Sequence, residues 1–176
     1  MPGTPDPVLG SDAATLVASV LLAVATTAAA AWRASGTQRA SRPLRTATLL
    51  GVAHGAVLVG GWALVRTVAG RFWTAPTAAP GEFLLVVVGG LLVVTLQAAV
   101  SLGWLAARGV VSPTVGLAAA TALVWFLILR VGGESDPLGL YALAFGPVVV
   151  AALLGLGAAE WAVRRALDSV ENAGET

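Results

Sequence analysis

The chain contains no cysteine, which excludes disulfides, thiolate zinc sites, iron–sulfur clusters and cysteine nucleophiles. Lysine is missing too. All ten basic residues are arginine, which points to coding by a genome rich in G and C. Histidine occurs once, as His54, and methionine once, as Met1. Charge of either sign is scarce: 11% of the 176 residues are charged against 57% hydrophobic. The mean hydropathy is +0.88, far from the balance of a soluble globular domain. Polar linkers are absent as well, so residues 1–176 read as a single transmembrane helical domain. The first twelve residues carry Asp6 and Asp12 but no basic residue. They lack the positive start of a secretory signal, and the first apolar run is expected to stay in the mature chain.

What is present are long apolar runs. A hydrocarbon core about 30 Å thick needs about 20 helical residues, and five stretches meet that length without an interior charge until the last turn of the fifth. They are Ala13 to Trp32, Thr46 to Val65, Phe83 to Ala106, Val110 to Leu129 and Tyr141 to Val163. Proline and glycine punctuate three of the gaps, with Pro43, Pro76, Pro80, Gly81, Gly132, Gly133 and Pro137. The third gap, Ala107 to Gly109, is tight and predicts an antiparallel hairpin with Arg108 at its turn. The fold class expected is therefore all-α, a polytopic integral membrane protein of five transmembrane helices in the cell membrane.

Arginine sets the orientation. With the N-terminus outside and the C-terminus cytoplasmic, the inner side receives Arg33, Arg39, Arg42, Arg45, Arg108, Arg164 and Arg165, and the outer side only Arg66, Arg71 and Arg130. Tryptophan supports the same span ends, because indole favours the headgroup level. Trp32, Trp104 and Trp161 fall at inner ends and Trp62 and Trp125 at outer ends, where ordinary membrane anchoring is expected. Trp73 is placed on a short interfacial helix.

Lipid competes for apolar side chains, so helices associate through small residues and polar groups. The contact faces expected are Gly51 and Gly55 in the second span and Ala151, Gly155 and Ala159 in the fifth, with Gly89 and Gly90 in the third. Pro113 fits a first helical turn. Pro147 lies deeper, frees the carbonyl of Leu143 and predicts a kink.

Intramembrane polar residues are the candidates for function. At about 1.5 Å per residue, His54 lies about 12 Å from the inner end of its span and Gln97 about 13 Å from that of its own. A His54–Gln97 hydrogen bond at this shared depth is expected, with Ser101 one turn below and Thr95 and Thr121 further out. Glu160 stands four residues before Arg164, the spacing of a helical ion pair. The last residues, from Ala166 on, are expected to form a short polar, frayed tail. Glu134 and Asp136 form an acidic outer loop read as solvated turn chemistry.

Motifs that carry chemistry are lacking. No HExxH zinc signature, nucleophile elbow, phosphate loop or pair of intramembrane aspartates occurs, so no catalytic residue, metal site or cofactor is expected. The arginine loop after the first span suits anionic headgroups rather than nucleic acid. Its partners are accordingly the lipid bilayer and other membrane proteins or copies of itself. The function expected is a non-enzymatic subunit or scaffold of a membrane complex. Two alternatives stand beside it: a small transporter or channel element with its polar position at His54 and Gln97, and a haem-binding membrane protein using His54, for which the chain offers no second axial ligand.

Overall fold

The computed structural model describes residues 7–36, 43–69, 80–130 and 137–174. Every long element is a helix: α1 (Asp12–Ser35), α2 (Pro43–Val68), α3 (Pro80–Arg108) and α4 (Ser112–Ile128). A final rod follows, made of α5 (Pro137–Leu140), a π-helical turn (Tyr141–Phe145) and α6 (Gly146–Gly174). Four of these are long and apolar enough to cross a membrane, at Asp12–Ser35, Pro43–Val68, Phe83–Arg108 and Leu138–Val170, and Ser112–Ile128 is a shorter apolar helix. The chain is an all-α bundle of the polytopic membrane type. Trp73, Arg39, Arg42, Arg71, Asp6, Glu134 and Asp136 lie outside the described residues.

Several helix ends have identifiable causes. Ser11 caps α1 by accepting from the Ala14 N–H at 3.2 Å, with Asp12 in the first turn where the helix dipole favours a carboxylate. Arg33 and Arg108 close α1 and α3 in their last turns. Gly109 ends α3 in the left-handed region at φ +66°, its N–H on the Leu105 carbonyl at 2.9 Å, and so turns the chain back into α4. Because Val110 and Val111 are used in that reversal, α4 has 17 residues, shorter than the fourth run predicts. Its far end stops where the Leu129 carbonyl accepts from Val8 N–H at 3.0 Å.

Helix α3 is the hub. It packs most extensively on α2 and also meets α1, α4 and α6, while α1 lies chiefly along α4. Two apolar clusters fill the interior. One gathers Leu58, Trp62, Val94, Val124, Trp125 and Tyr141; the other gathers Ala34, Ala47, Ala98, Leu102 and Leu117. The α2–α3 seam is as close as the glycines allow: a Cβ on Gly51 would lie 2.8 Å from the Thr95 carbonyl oxygen and 3.0 Å from the Ala99 nitrogen. Gly55 likewise faces Thr95 and Leu91. The expected seam at these two glycines is thus where α2 and α3 meet.

Three expectations need correction. Ala151, Gly155 and Ala159 are exposed, and a Cβ on Gly155 would meet nothing within 4 Å. The inner face of α6 runs instead through Gly146, Leu153 and Gly157, the last making room for the Trp104 indole. Trp62 and Trp125, expected at the membrane interface, are only 2% and 6% exposed. Trp125 lies over the gap left by Gly61, and Trp62 stacks obliquely on Phe83 at 5.9 Å. Finally, the polar residues after Ala166 continue α6 to Gly174 rather than fraying from it.

Proline 147 acts through the turn before it. It has no N–H to return to Leu143, and its ring crowds that carbonyl. The preceding turn widens to the π form, with Gly146 N–H bonded to Tyr141 carbonyl five residues back.

Candidate functional site: the buried polar layer

Azimuth, rather than depth, separates His54 from Gln97. Thr95 and Ala99 face Gly51 on α2, and Gln97 stands two residues from each, about 200° round the helix. It therefore points away from α2, toward the last rod. There its Nε2 donates to the Gly146 carbonyl at 3.2 Å and its Oε1 accepts from the Tyr141 hydroxyl at 2.9 Å. Gln97 is 2% exposed and Tyr141 1%, so both ends of the amide are satisfied in a dry interior. The widened turn at Tyr141–Phe145 and this amide belong together, since both partners of Gln97 flank the turn.

His54 finds another partner. Its Nε2 lies 3.1 Å from Thr121 Oγ1 on α4, and the expected His54–Gln97 bond is not formed. The other ring nitrogen, Nδ1, is buried without a hydrogen-bond partner, as are Ser101 Oγ and Thr27 Oγ1. A groove of about 450 Å³ between α1 and α2 is lined by Ala25, Ala29, Leu50, Ala53 and His54. Iron ligation through Nε2 would break the bond to Thr121. Among the described residues no three His, Cys, Asp or Glu side chains gather to hold a metal.

No known protein identifies this layer. No family model, no curated protein and no solved structure matches the chain. Its meaning rests on its own geometry.

One polar face was not picked out from the sequence. Thr15, Ser19, Ala23 and Thr27 recur every four residues on α1 and are all buried. Thr15 and Ser19 turn their hydroxyls onto carbonyls four residues back, at 2.8 and 2.7 Å, which hides the polarity and leaves a narrow ridge. That ridge lets α1 lie along α4. The signal was legible: four small residues in steps of four, the same rule applied to α2.

Glu160 does more than pair with Arg164, which it meets at 2.5 Å. Its carboxylate also accepts from the Val111 N–H at 3.0 Å and the Ser112 N–H at 2.6 Å. These are orphan donors at the start of α4, which has no side-chain cap of its own at Val111. A carboxylate from α6 caps α4 across the bundle, with the helix dipole favouring it. In Glu160→Gln, hydrogen–deuterium exchange at the Val111 and Ser112 amides is expected to accelerate while exchange in the middle of α3 stays unchanged. Unaltered exchange at both amides would show that the cap contributes nothing.

At the opposite end, Arg130, two residues past the end of α4, bonds Asp12 of α1 at 2.6 Å and stacks on Phe126 at 4.9 Å. The α1 start and the α4 end are thus tied together.

Proposed function

We propose that this chain is a non-enzymatic, multi-pass subunit of a cell-membrane complex, with its N-terminus outside and its C-terminus in the cytoplasm. One observation carries the reading: both ends of the Gln97 amide are taken up by Tyr141 and Gly146, and His54 Nε2 is taken up by Thr121. Polar groups spent in this way act as glue between helices. Gln97 and His54 both lie in the interior, at 2% and 4% exposure. A second feature fits a subunit. The small-residue row Ala151, Gly155, Ala159 faces away from every other helix of the chain, and such rows allow another helix to approach closely.

Orientation is supported by where the arginines collect. Trp32 and Arg33 line one surface groove with Thr46, Pro43 and Leu44 line another with Trp104 and Arg108, and Arg108 lines a third with Arg164 and Arg165. Arg66 lies in the last turn of α2 and Arg130 just past the end of α4, at the other end of the bundle. By the positive-inside rule the arginine-rich end is the cytoplasmic one.

The test is a photo-crosslinking residue at position 155 in cells, combined with proton and ion flux in proteoliposomes. A discrete protein adduct at 155 and flux no greater than that of empty vesicles are expected. Adducts to lipid alone would remove the subunit reading. Flux abolished by His54→Ala or Gln97→Ala would replace it with a transport function, and a Soret band lost in His54→Ala with a haem protein. A reporter fused after Thr176 should read as cytoplasmic.

A further inference from the structure

We propose that the arginine-rich end of the bundle binds an anionic glycerophospholipid, its phosphate in a basin of Arg108, Arg164 and Arg165 and an acyl chain in the groove beside Trp104.

The basin is an open hollow of about 790 Å³ at the end of α3 and along α6, floored by Trp161. Three arginines line it against a single carboxylate, Asp168. Glu160 lies nearby but is occupied by Arg164 and by the amides of Val111 and Ser112. Arg164 is thereby neutralised, and the excess positive charge on the wall rests on Arg108 and Arg165.

Arg108 is held in a particular way. Its guanidinium carbon lies 4.8 Å from the Trp104 ring and 5.2 Å from the Trp161 ring, so two indoles from different helices fix it. Arg165 stacks on Trp161 as well, at 5.1 Å. Stacking uses the flat face of a guanidinium and leaves its N–H edge free, and that edge matches two oxygens of a phosphate. The aromatic contacts thus prearrange two forks at the arginine-rich end of the bundle without consuming their donors.

Continuity with an apolar groove decides the source of the phosphate. Arg108 also lines a second hollow of about 670 Å³, which runs over α3 beside Trp104, between the start of α2 and α6, and is walled by Leu44, Val100, Gly103 and Leu154. Space remains at Gly103, where the nearest atoms to a Cβ would be Leu44 and Ala47 methyls at 3.9 and 4.0 Å. A free phosphate would use only the first hollow. A molecule with an anionic head and an acyl chain fills both, with Arg108 at the junction.

The experiment is native mass spectrometry of the full chain in neutral detergent, titrated separately with phosphatidylglycerol and phosphatidylcholine. Phosphatidylglycerol is expected to bind more tightly than phosphatidylcholine. Arg165→Gln, on an exposed turn of α6, should weaken it about fivefold, and Arg108→Gln with Arg165→Gln about 30-fold. Arg45→Gln, on α2 outside the basin, should change it less than twofold. Equal binding of the two lipids, an Arg165→Gln protein that holds phosphatidylglycerol as tightly as the parent, or an Arg45→Gln loss as large as that of Arg165→Gln would each overturn the proposal. Displacement of phosphatidylglycerol by an equal concentration of inorganic phosphate would overturn the lipid assignment and leave a site for phosphate alone.

Discussion

Gly51→Leu is expected to force α2 away from α3 and prevent recovery of a folded bundle. Even Gly51→Ala should lower stability by about 1–3 kcal/mol, the usual cost of overpacking. The reason is what the added carbon would meet: the carbonyl of Thr95 and the amide of Ala99 are backbone atoms of α3 and cannot rotate aside. Both helices would have to move apart along the largest contact in the bundle. Gly155→Ala serves as the comparison, because a Cβ there would meet nothing within 4 Å. It should change stability by less than about 0.5 kcal/mol. Denaturant-titrated unfolding in micelles, followed by circular dichroism, reads both. Equal effects at 51 and 155 would mean that the α2–α3 approach contributes nothing to stability.

The second large effect belongs to Gln97. Gln97→Ala removes a buried side chain and leaves the Tyr141 hydroxyl without its acceptor, at a cost of about 2–4 kcal/mol from cavity and unsatisfied group together. Tyr141→Phe costs less, about 1–2 kcal/mol, since it strands only one oxygen of the amide. A double-mutant cycle between Gln97→Leu and Tyr141→Phe should give a coupling of about 0.6 kcal/mol, the average for hydrogen bonds between membrane helices, and no more than about 1.7 kcal/mol. Additive losses would show that the two side chains touch without stabilising one another. Pairing His54→Ala with Gln97→Leu should show no coupling, because each bonds to a different helix.

These expectations show what a depth argument can and cannot reach. Counting residues along a helix places His54 and Gln97 at nearly the same level, because rise per residue is fixed. It leaves open which neighbour each side chain faces. The GxxxG pair Gly51 and Gly55 did mark a face correctly, since backbone approach demands small residues on both sides of one seam. With that seam set on Thr95 and Ala99, the rotation of 100° per residue directs Gln97 to the opposite side. The same small-residue rule pointed at Ala151, Gly155 and Ala159, which face outward in this chain, while Trp104 lies over Gly157. Spacing identifies a possible seam without saying whether this chain supplies the other half.

The all-α class, the five apolar helices and the reversal after Arg108 are legible in the residues alone. Each follows from local physics: hydrocarbon excludes unpaired backbone, and glycine at position 109 accepts a positive φ. The partners of each side chain emerge from the packed bundle. It carried Trp62 and Trp125 into the core, turned Glu160 into a cap for α4, and replaced a simple proline kink with a π turn that Gln97 fastens from α3. Those outcomes depend on which helix lies beside which, a choice made by close packing among residues far apart in the chain.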